Sequence, residues 1–330
     1  MFDNYVRGCT AKMRTVVTVA SVMMFLVGPI AGREVSGAPP KAVKSESTRL
    51  AFTSNESGEY EFDTGTLRGK LRRAGKSPGL SSVVHVPSGL TLNGTYGILS
   101  HYRVFTTNSR YGTAAWDWPS TSKLLADGSV QITWPEAPDR PFEMAALYRC
   151  TGASTIDVET IVKARKDLSN FEVFLASYFD KAFASPCVYV KAGPQTQGKP
   201  GFLTATKPAG DWQMFPRNDR VLPIIRDGRW KKEPNPVEWK IMPNMAMPIG
   251  LRRSAEGGPT AVLMAPPEDC FAIATPYEGE SHYSMYLSLF GRDVKAGQTT
   301  RARSRFIVTT AGSNAEILRL YNKYMRDIAD

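Results

Sequence analysis

The feature that most constrains this chain is a two-residue alternation of apolar and polar side chains that recurs through most of its length. In Thr155–Ala164 (TIDVETIVKA), Ile156, Val158, Thr160 and Val162 fall on one side, while Asp157, Glu159, Ile161 and Lys163 fall on the other. Successive residues of a strand point to opposite faces, so this segment reads as part of an antiparallel sheet with one half-solvated face. Similar runs predict strands at Ser82–Val86, Gly97–Thr106, Phe142–Cys150, Phe171–Phe179, Thr260–Met264, Cys270–Thr275, Ser284–Phe290 and Thr300–Thr309. Another strand, Ser129–Trp134, follows the hairpin signal Asp127-Gly128. The 27 Gly and 23 Pro, together with 10% aromatic residues, favour such a β architecture over a helical bundle. An apolar fraction of 42% excludes a disordered chain, because that much buried surface offsets the ordering entropy.

Three regions depart from the pattern. Thr66–Gly94 reads as a basic, Gly-rich lead-in (Arg68, Lys70, Arg72, Arg73, Lys76) with a short strand at Ser82–Val86. Residues 191–258 are rich in Pro and Gly, with Trp212, Trp230 and Trp239 set among charges, and read as long irregular loops with short strands. The C-terminus reads as a helix: Ser313 and Glu316 form a capping box ahead of a stripe of Ile317, Leu318, Tyr321, Tyr324, Met325 and Ile328. The expectation is one all-β body over 49–312, an antiparallel sandwich, with a helix over 313–330 packed on it.

The N-terminus bears on compartment. Arg7, Lys12 and Arg14 precede an apolar stretch from Thr15 to Ile30, and small residues follow. That arrangement predicts a cleaved signal peptide over 1–37 and a polar linker over 38–48. The stretch breaks at Gly28-Pro29, short of the roughly 20 apolar residues of a spanning helix. An uncleaved anchor is the competing reading. The protein is therefore expected to be secreted or periplasmic, with no membrane span after cleavage. The net charge of +10 is not a product of the signal, which carries only four cations (Arg7, Lys12, Arg14, Arg33) and two anions (Asp3, Glu34). Cys9 would leave with it. Cys150, Cys187 and Cys270 remain, each beside apolar residues, and are read as three buried thiols rather than one bridge and a free thiol.

Strong chemical motifs are absent. There is no phosphate-cradling GxxxxGK[ST] or GxGxxG, no GxSxG elbow, no HExxH and no CxxC. Three histidines, His85, His101 and His282, make a three-histidine zinc site a poor expectation, and no metal or cofactor is expected. Charge alone permits nucleic-acid binding, but no nucleic-acid module is legible, and none is expected as a partner.

The succession PFEMAALYRC, TIDVETIVKARKDLSNFEVFLASYF and SHYSMYLSLFGRDVKAGQTTRARSRFIV resembles the galactose mutarotase-like supersandwich across roughly Leu67 to Thr309. The resemblance implies an all-β antiparallel supersandwich and a carbohydrate site on the strand ending at Tyr178-Phe179-Asp180. Aldose 1-epimerases of that family carry a general-acid histidine where this chain has Ala176. Plain epimerase chemistry is therefore disfavoured, and the scaffold's use in polysaccharide lyases and glycan-binding modules comes forward.

Each candidate site residue has a plainer alternative. His101 and Arg103, two apart on a strand, share a face and suit an acidic sugar, with Arg gripping the acid group and His moving a proton; the alternative is a sheet-surface pair. Tyr178 is placed as acid or base of a uronate elimination and Asp180 beside it as a sugar contact, against a strand-end core aromatic. Glu278, Glu280 and His282 alternate in a loop and could serve acid–base chemistry or simply be solvated. Trp116 and Trp118 flank Asp117 as stacking platforms, against burial under a neighbouring loop. Arg217 is assigned to the acid group with Arg103. Arg301, Arg303 and Arg305 share a strand face, read as a solvated edge that deters aggregation.

The resulting expectation is an exported protein that binds an anionic polysaccharide and cleaves it in lyase or hydrolase fashion. A non-catalytic glycan-binding or cell-envelope scaffold protein is the alternative. The catalytic candidates are His101, Tyr178 and His282. Mass spectrometry of the exported protein should show loss of residues 1–32 or 1–37 (cleavage after Gly32 or Gly37); an intact N-terminus in the membrane fraction would show an anchor instead.

Overall fold

A computed structural model describes residues 50–329 other than 57–58, 72–78, 256 and 311. The expected signal peptide, the linker and Cys9 lie outside these residues, as do Arg72, Arg73 and Lys76 of the basic lead-in.

The alternation builds three sheets. One runs Lys240–Ile241, Trp212–Pro216, Cys270–Pro276, Ser284–Val294, Leu168–Tyr178, Ser100–Thr106 and Ser109–Arg110 in spatial order. A nine-stranded sheet centres on Met245–Arg253, Thr260–Met264, Thr299–Thr309, Thr155–Ala164 and Phe142–Gly152. Pairing in both is antiparallel, apart from the short parallel contact of Trp212–Pro216 with Lys240–Ile241. The two sheets share one core, to which Val173, Leu175, Ile273, Leu287 and Leu289 come from the first and Met144, Tyr148, Ile156, Val158 and Val162 from the second. At roughly 1.5–3 kcal/mol for each fully buried large apolar side chain, this layer is the main source of cohesion. The capping box at Ser313 and Glu316 forms, and the helix Asn314–Asp327 lays Ile317, Tyr321 and Tyr324 on Ile249, Leu251, Val262 and Ile307 of the nine-stranded sheet. Among the described residues no helix is long and apolar enough to cross a membrane.

Several expectations change. The lead-in before residue 94 is a five-stranded sheet, Thr53–Ser54 through Leu90–Thr91, in which Leu67, Gly69 and Leu71 point inward between Arg68 and Lys70. Within the irregular 191–258 region lies a nine-residue strand, Met245–Arg253, whose Met-Pro-Ile-Gly stretch hides its alternation. The arginine stripe is not an edge. Thr299–Thr309 is paired on both sides, and its cations are matched: Arg305 donates to both carboxylate oxygens of Asp157 at 2.7 and 2.8 Å and to Asp327 at 2.9 Å. Arg301 pairs with Glu159 at 3.2 Å, and Arg303 with Asp269 at 3.2 Å. Cys150, Cys187 and Cys270 are free and buried.

His101 is the largest correction. On Ser100–Thr106, Arg103 stands opposite Phe174 and His101 opposite Leu175, so Tyr102 is an extra residue without its own partner. This β-bulge breaks the two-residue period, so His101 and Arg103 do not share a face. Tyr102 and Arg103 both reach the outer face, while His101 turns into the sandwich. There its Nε2 lies 2.9 Å from Thr160 Oγ1 of the opposite sheet, its ring packs on Trp134, and its Nδ1 has no partner among the described residues. It is a link between sheets, not a catalytic group.

Burial depresses the His101 pKa from 6.5 to about 3. The folded protein therefore holds it neutral while the unfolded chain protonates it below about pH 6.5, so its contribution is complete above that value and fades as pH falls. Between about pH 6.5 and about pH 5, denaturant titrations should show roughly 2 kcal/mol lost through this group. His101→Gln should lack that increment; identical pH slopes for the two proteins would refute the assignment.

Candidate functional site

The outer face of the seven-stranded sheet carries the site. Alternation on Leu168–Tyr178 sends Val173 and Leu175 inward and Phe174, Ala176 and Tyr178 outward. Tyr286 stands opposite Ala176 on the neighbouring strand, and Ala272 and Ala274 lie on the same outer face. Alanines among large aromatics leave a hollow, because the tall side chains have nothing of equal height beside them. Loops around 111–118 and 217–239 wall it, giving a cleft of about 470 Å³.

The walls are nearly all aromatic. Trp116 stacks on Tyr102 (4.2 Å between ring centroids, 2° between planes) and on Tyr96 (5.4 Å, 8°). Tyr96 meets Tyr178 at 5.0 Å, and Tyr178 meets His282 at 6.4 Å. His282 packs on Trp212 (6.0 Å), Trp212 on Trp239 (5.9 Å) and Trp239 on Trp230 (5.1 Å). The Arg103 guanidinium lies 5.6 Å from the Trp230 ring and 4.8 Å from Tyr102, which closes the circuit. Phe174, stacked on Tyr286 at 4.5 Å, lies on the floor.

Buried ion pairing holds the Trp230 wall. Gly228, at φ 96°, makes a left-handed turn in which a Cβ would come within 2.7 Å of Asn108 Oδ1. The turn delivers Arg229 into full burial, where it donates to Glu172 at 2.8 Å, to Asp227 at 2.8 Å and to the Asn170 carbonyl at 3.0 Å. Residues 232–235 are tied down by backbone acceptors: Arg110 donates to the Pro234 carbonyl at 2.5 Å, and Arg103 to the Asn235 carbonyl at 2.9 Å.

The electrostatics are one-sided. Arg103 is 4% exposed and no carboxylate pairs with it among the described residues; its Nε and Nη1 have no acceptor. Burial and the nearby Arg103 charge pull the Arg110 pKa down to about 10. The Trp230 and Trp239 indole N–H groups are also buried without acceptors. Tyr178 and Tyr286 share a hydroxyl hydrogen bond; burial holds Tyr178 well above the usual phenol range and pushes Tyr286 up to about 12. Opposite them, Glu280 binds His282 twice, Oε1 lying 2.6 Å from Nδ1 and Oε2 accepting the backbone N–H at 2.8 Å.

Of the residues singled out from sequence, Arg103, Trp116, Tyr178 and His282 meet in this cleft, with Glu280 behind His282. The rest do not line it. His101 is inside the sandwich. Trp118 is buried in the main core, under the Arg140 guanidinium at 4.4 Å, so it offers no free platform. Asp180 accepts the Ala182 N–H at 2.8 Å and shapes a turn. Arg217 lies past the end of its strand, bonded to the Pro267 carbonyl at 2.5 Å. Glu278 donates its backbone N–H to Ala205 and stands outside the lining. Tyr96, Tyr102, Phe174, Trp212, Trp230, Asn235, Trp239 and Tyr286 were missed as site residues; the three tryptophans of the irregular region were the available signal.

No protein-family model and no curated protein matches the chain. Solved structures do. The α-N-acetylgalactosaminidase NagBb of Bifidobacterium bifidum, as a quadruple mutant, is 15% identical over 81% of this chain and 39% of that one, with a TM-score of 0.50. A galactose mutarotase-like protein from Lactobacillus casei is 10% identical over 76% of this chain and 100% of that one, with a TM-score of 0.48. A heparan sulfate lyase HepC mutant from Pedobacter heparinus is 8% identical over 80% and 37%, with a TM-score of 0.45. The chain shares the sandwich fold of the glycosidase, and spans about two fifths of that protein's length.

Removing one member of a buried ion pair strands the other. Arg229→Ala should cost about 3–5 kcal/mol in urea unfolding, whereas the double change Arg229→Met with Glu172→Gln should recover most of it. Equal losses in the two variants would show that the pairing is not what holds this wall.

Proposed function

We propose that the protein is exported and that it binds an acidic polysaccharide in this cleft and cleaves it by β-elimination. The observation that carries the reading is Arg103, a buried guanidinium with two unanswered donors, set in aromatic walls and without a carboxylate partner. Burying an unpaired cation is costly, so an anion that completes the site relieves a strain already present. Aromatic faces suit the apolar faces of sugar rings, and Arg binds a carboxylate or sulfate bidentately. A nucleic-acid backbone fits less well, since its phosphates are met by exposed surface cations rather than by one enclosed within rings.

For a uronate in the cleft, Arg103 neutralises the carboxylate and so acidifies the C5 proton. His282, oriented at Nδ1 by Glu280, takes that proton on Nε2. The C5 electron pair forms the C4–C5 double bond as the C4–O4 bond breaks, and Tyr178 protonates the leaving oxygen. Its raised pKa keeps it protonated for that role. Proton return from His282 to Tyr178 restores the resting state. Ala176 lies on the outer face of the sheet and offers no proton there, in keeping with elimination rather than epimerase chemistry.

Incubation with uronate polysaccharides should release products with the ultraviolet absorbance of an unsaturated uronate. His282→Ala should lower kcat by about 10²–10⁴-fold, and Arg103→Met should weaken binding by about 1.5–3 kcal/mol. Binding without any turnover would favour the alternative, a glycan-binding or cell-envelope protein.

A further inference from the structure

The circuit of side chains around the cleft has a consequence for how a polymer could enter it. A sugar ring lying between two aromatic rings needs a van der Waals contact of about 3.5–4.0 Å on each side, so the flanking rings must stand about 7–8 Å apart. No adjacent pair in the circuit reaches that spacing: the widest gap is the 6.4 Å between Tyr178 and His282. At the Arg103 corner the separations are 5.6 and 4.8 Å. An open groove needs two breaks in its walls, one where the chain enters and one where it leaves. Here the Tyr96–Trp116 side, the Trp212–His282 side and the Trp230–Trp239 side join without one. The remaining gap in depth is closed by Asn235 and Pro236, held over the hollow by the Arg103 and Arg110 bonds to backbone carbonyls. The exposed rim, where Tyr96 is 39% exposed and the His282 side chain 49%, marks the mouth, while Arg103 lies deep at 4%.

We infer that the site is a blind pocket that takes the terminal residue of an acidic glycan, with the acid group at Arg103 and the rest of the chain leaving past His282. This rests on the acidic-glycan reading and deepens it: the specificity is for a chain end, and each cleavage releases one sugar. Arg103 and Tyr178 lie deep in the pocket, 4% and 5% exposed, and His282 at its mouth, so the linkage presented for cleavage is the one that joins the last residue to the chain.

The test is binding of the wild-type full chain to polygalacturonate, alginate and hyaluronan, each intact and partly depolymerised, at equal mass of sugar. Where a polymer binds, shortening it tenfold should raise the bound protein about tenfold, because mass action counts only ends. Capacity that follows total sugar mass, unchanged by shortening, would overturn the pocket reading and leave the acidic-glycan reading intact. Failure to bind any of the three polymers, or the fragments of any, would overturn both.

Discussion

The site depends on one buried interaction, the guanidinium of Arg229 held between Glu172 of the sheet and Asp227 of its own loop. Loops that cross the outer face of a sheet have few partners of their own and would otherwise move over it. A buried cation with three acceptors removes that freedom. Everything C-terminal to it along the wall, from Trp230 to Trp239, takes its position from this anchor and from the arginine bonds to the 232–235 carbonyls. The aromatic residues then stand in contact around a hollow rather than collapse into it.

The two arginines at the cleft differ in a telling way. Arg229 has its carboxylates, and Arg103, on the strand Ser100–Thr106, has none among the described residues. Were the second cation also satisfied internally, the cleft would be a structural pocket and nothing more. The asymmetry separates the group that builds the wall from the group that meets a ligand. The small residues Ala176, Ala272 and Ala274 complete the division by leaving the floor low where a sugar would lie.

The fold was legible because burial on a sheet imprints a two-residue period, and the strand that matches it best, Thr155–Ala164, has the boundaries expected of it, as does Thr260–Met264, which is buried at every position. The lead-in sheet was hidden because its inward positions include Gly69 and its outward ones are cationic. The site was legible only in part. Period counting misplaced His101, since a single bulged residue at Tyr102 reverses the faces and no composition reveals a bulge. Trp116 and Trp118 are two apart yet go to opposite sides of a short turn, one to the cleft and one to the core. The wall tryptophans could be noticed but not assembled, because their convergence depends on Arg229 and on pairings more than 50 residues apart in sequence.

The sandwich is closed by partners that emerge late. Asp157 waits for Arg305, 148 residues further on, and Leu168–Tyr178 receives one neighbour only when Ser284–Val294 exists. Loop closure over such distances makes acquisition of the native state slow. None of the three cysteines forms a bridge, so no oxidative step is needed to complete it. Were the chain exported, as proposed, this slow closure would favour its crossing a membrane threadlike, before the sheets had assembled.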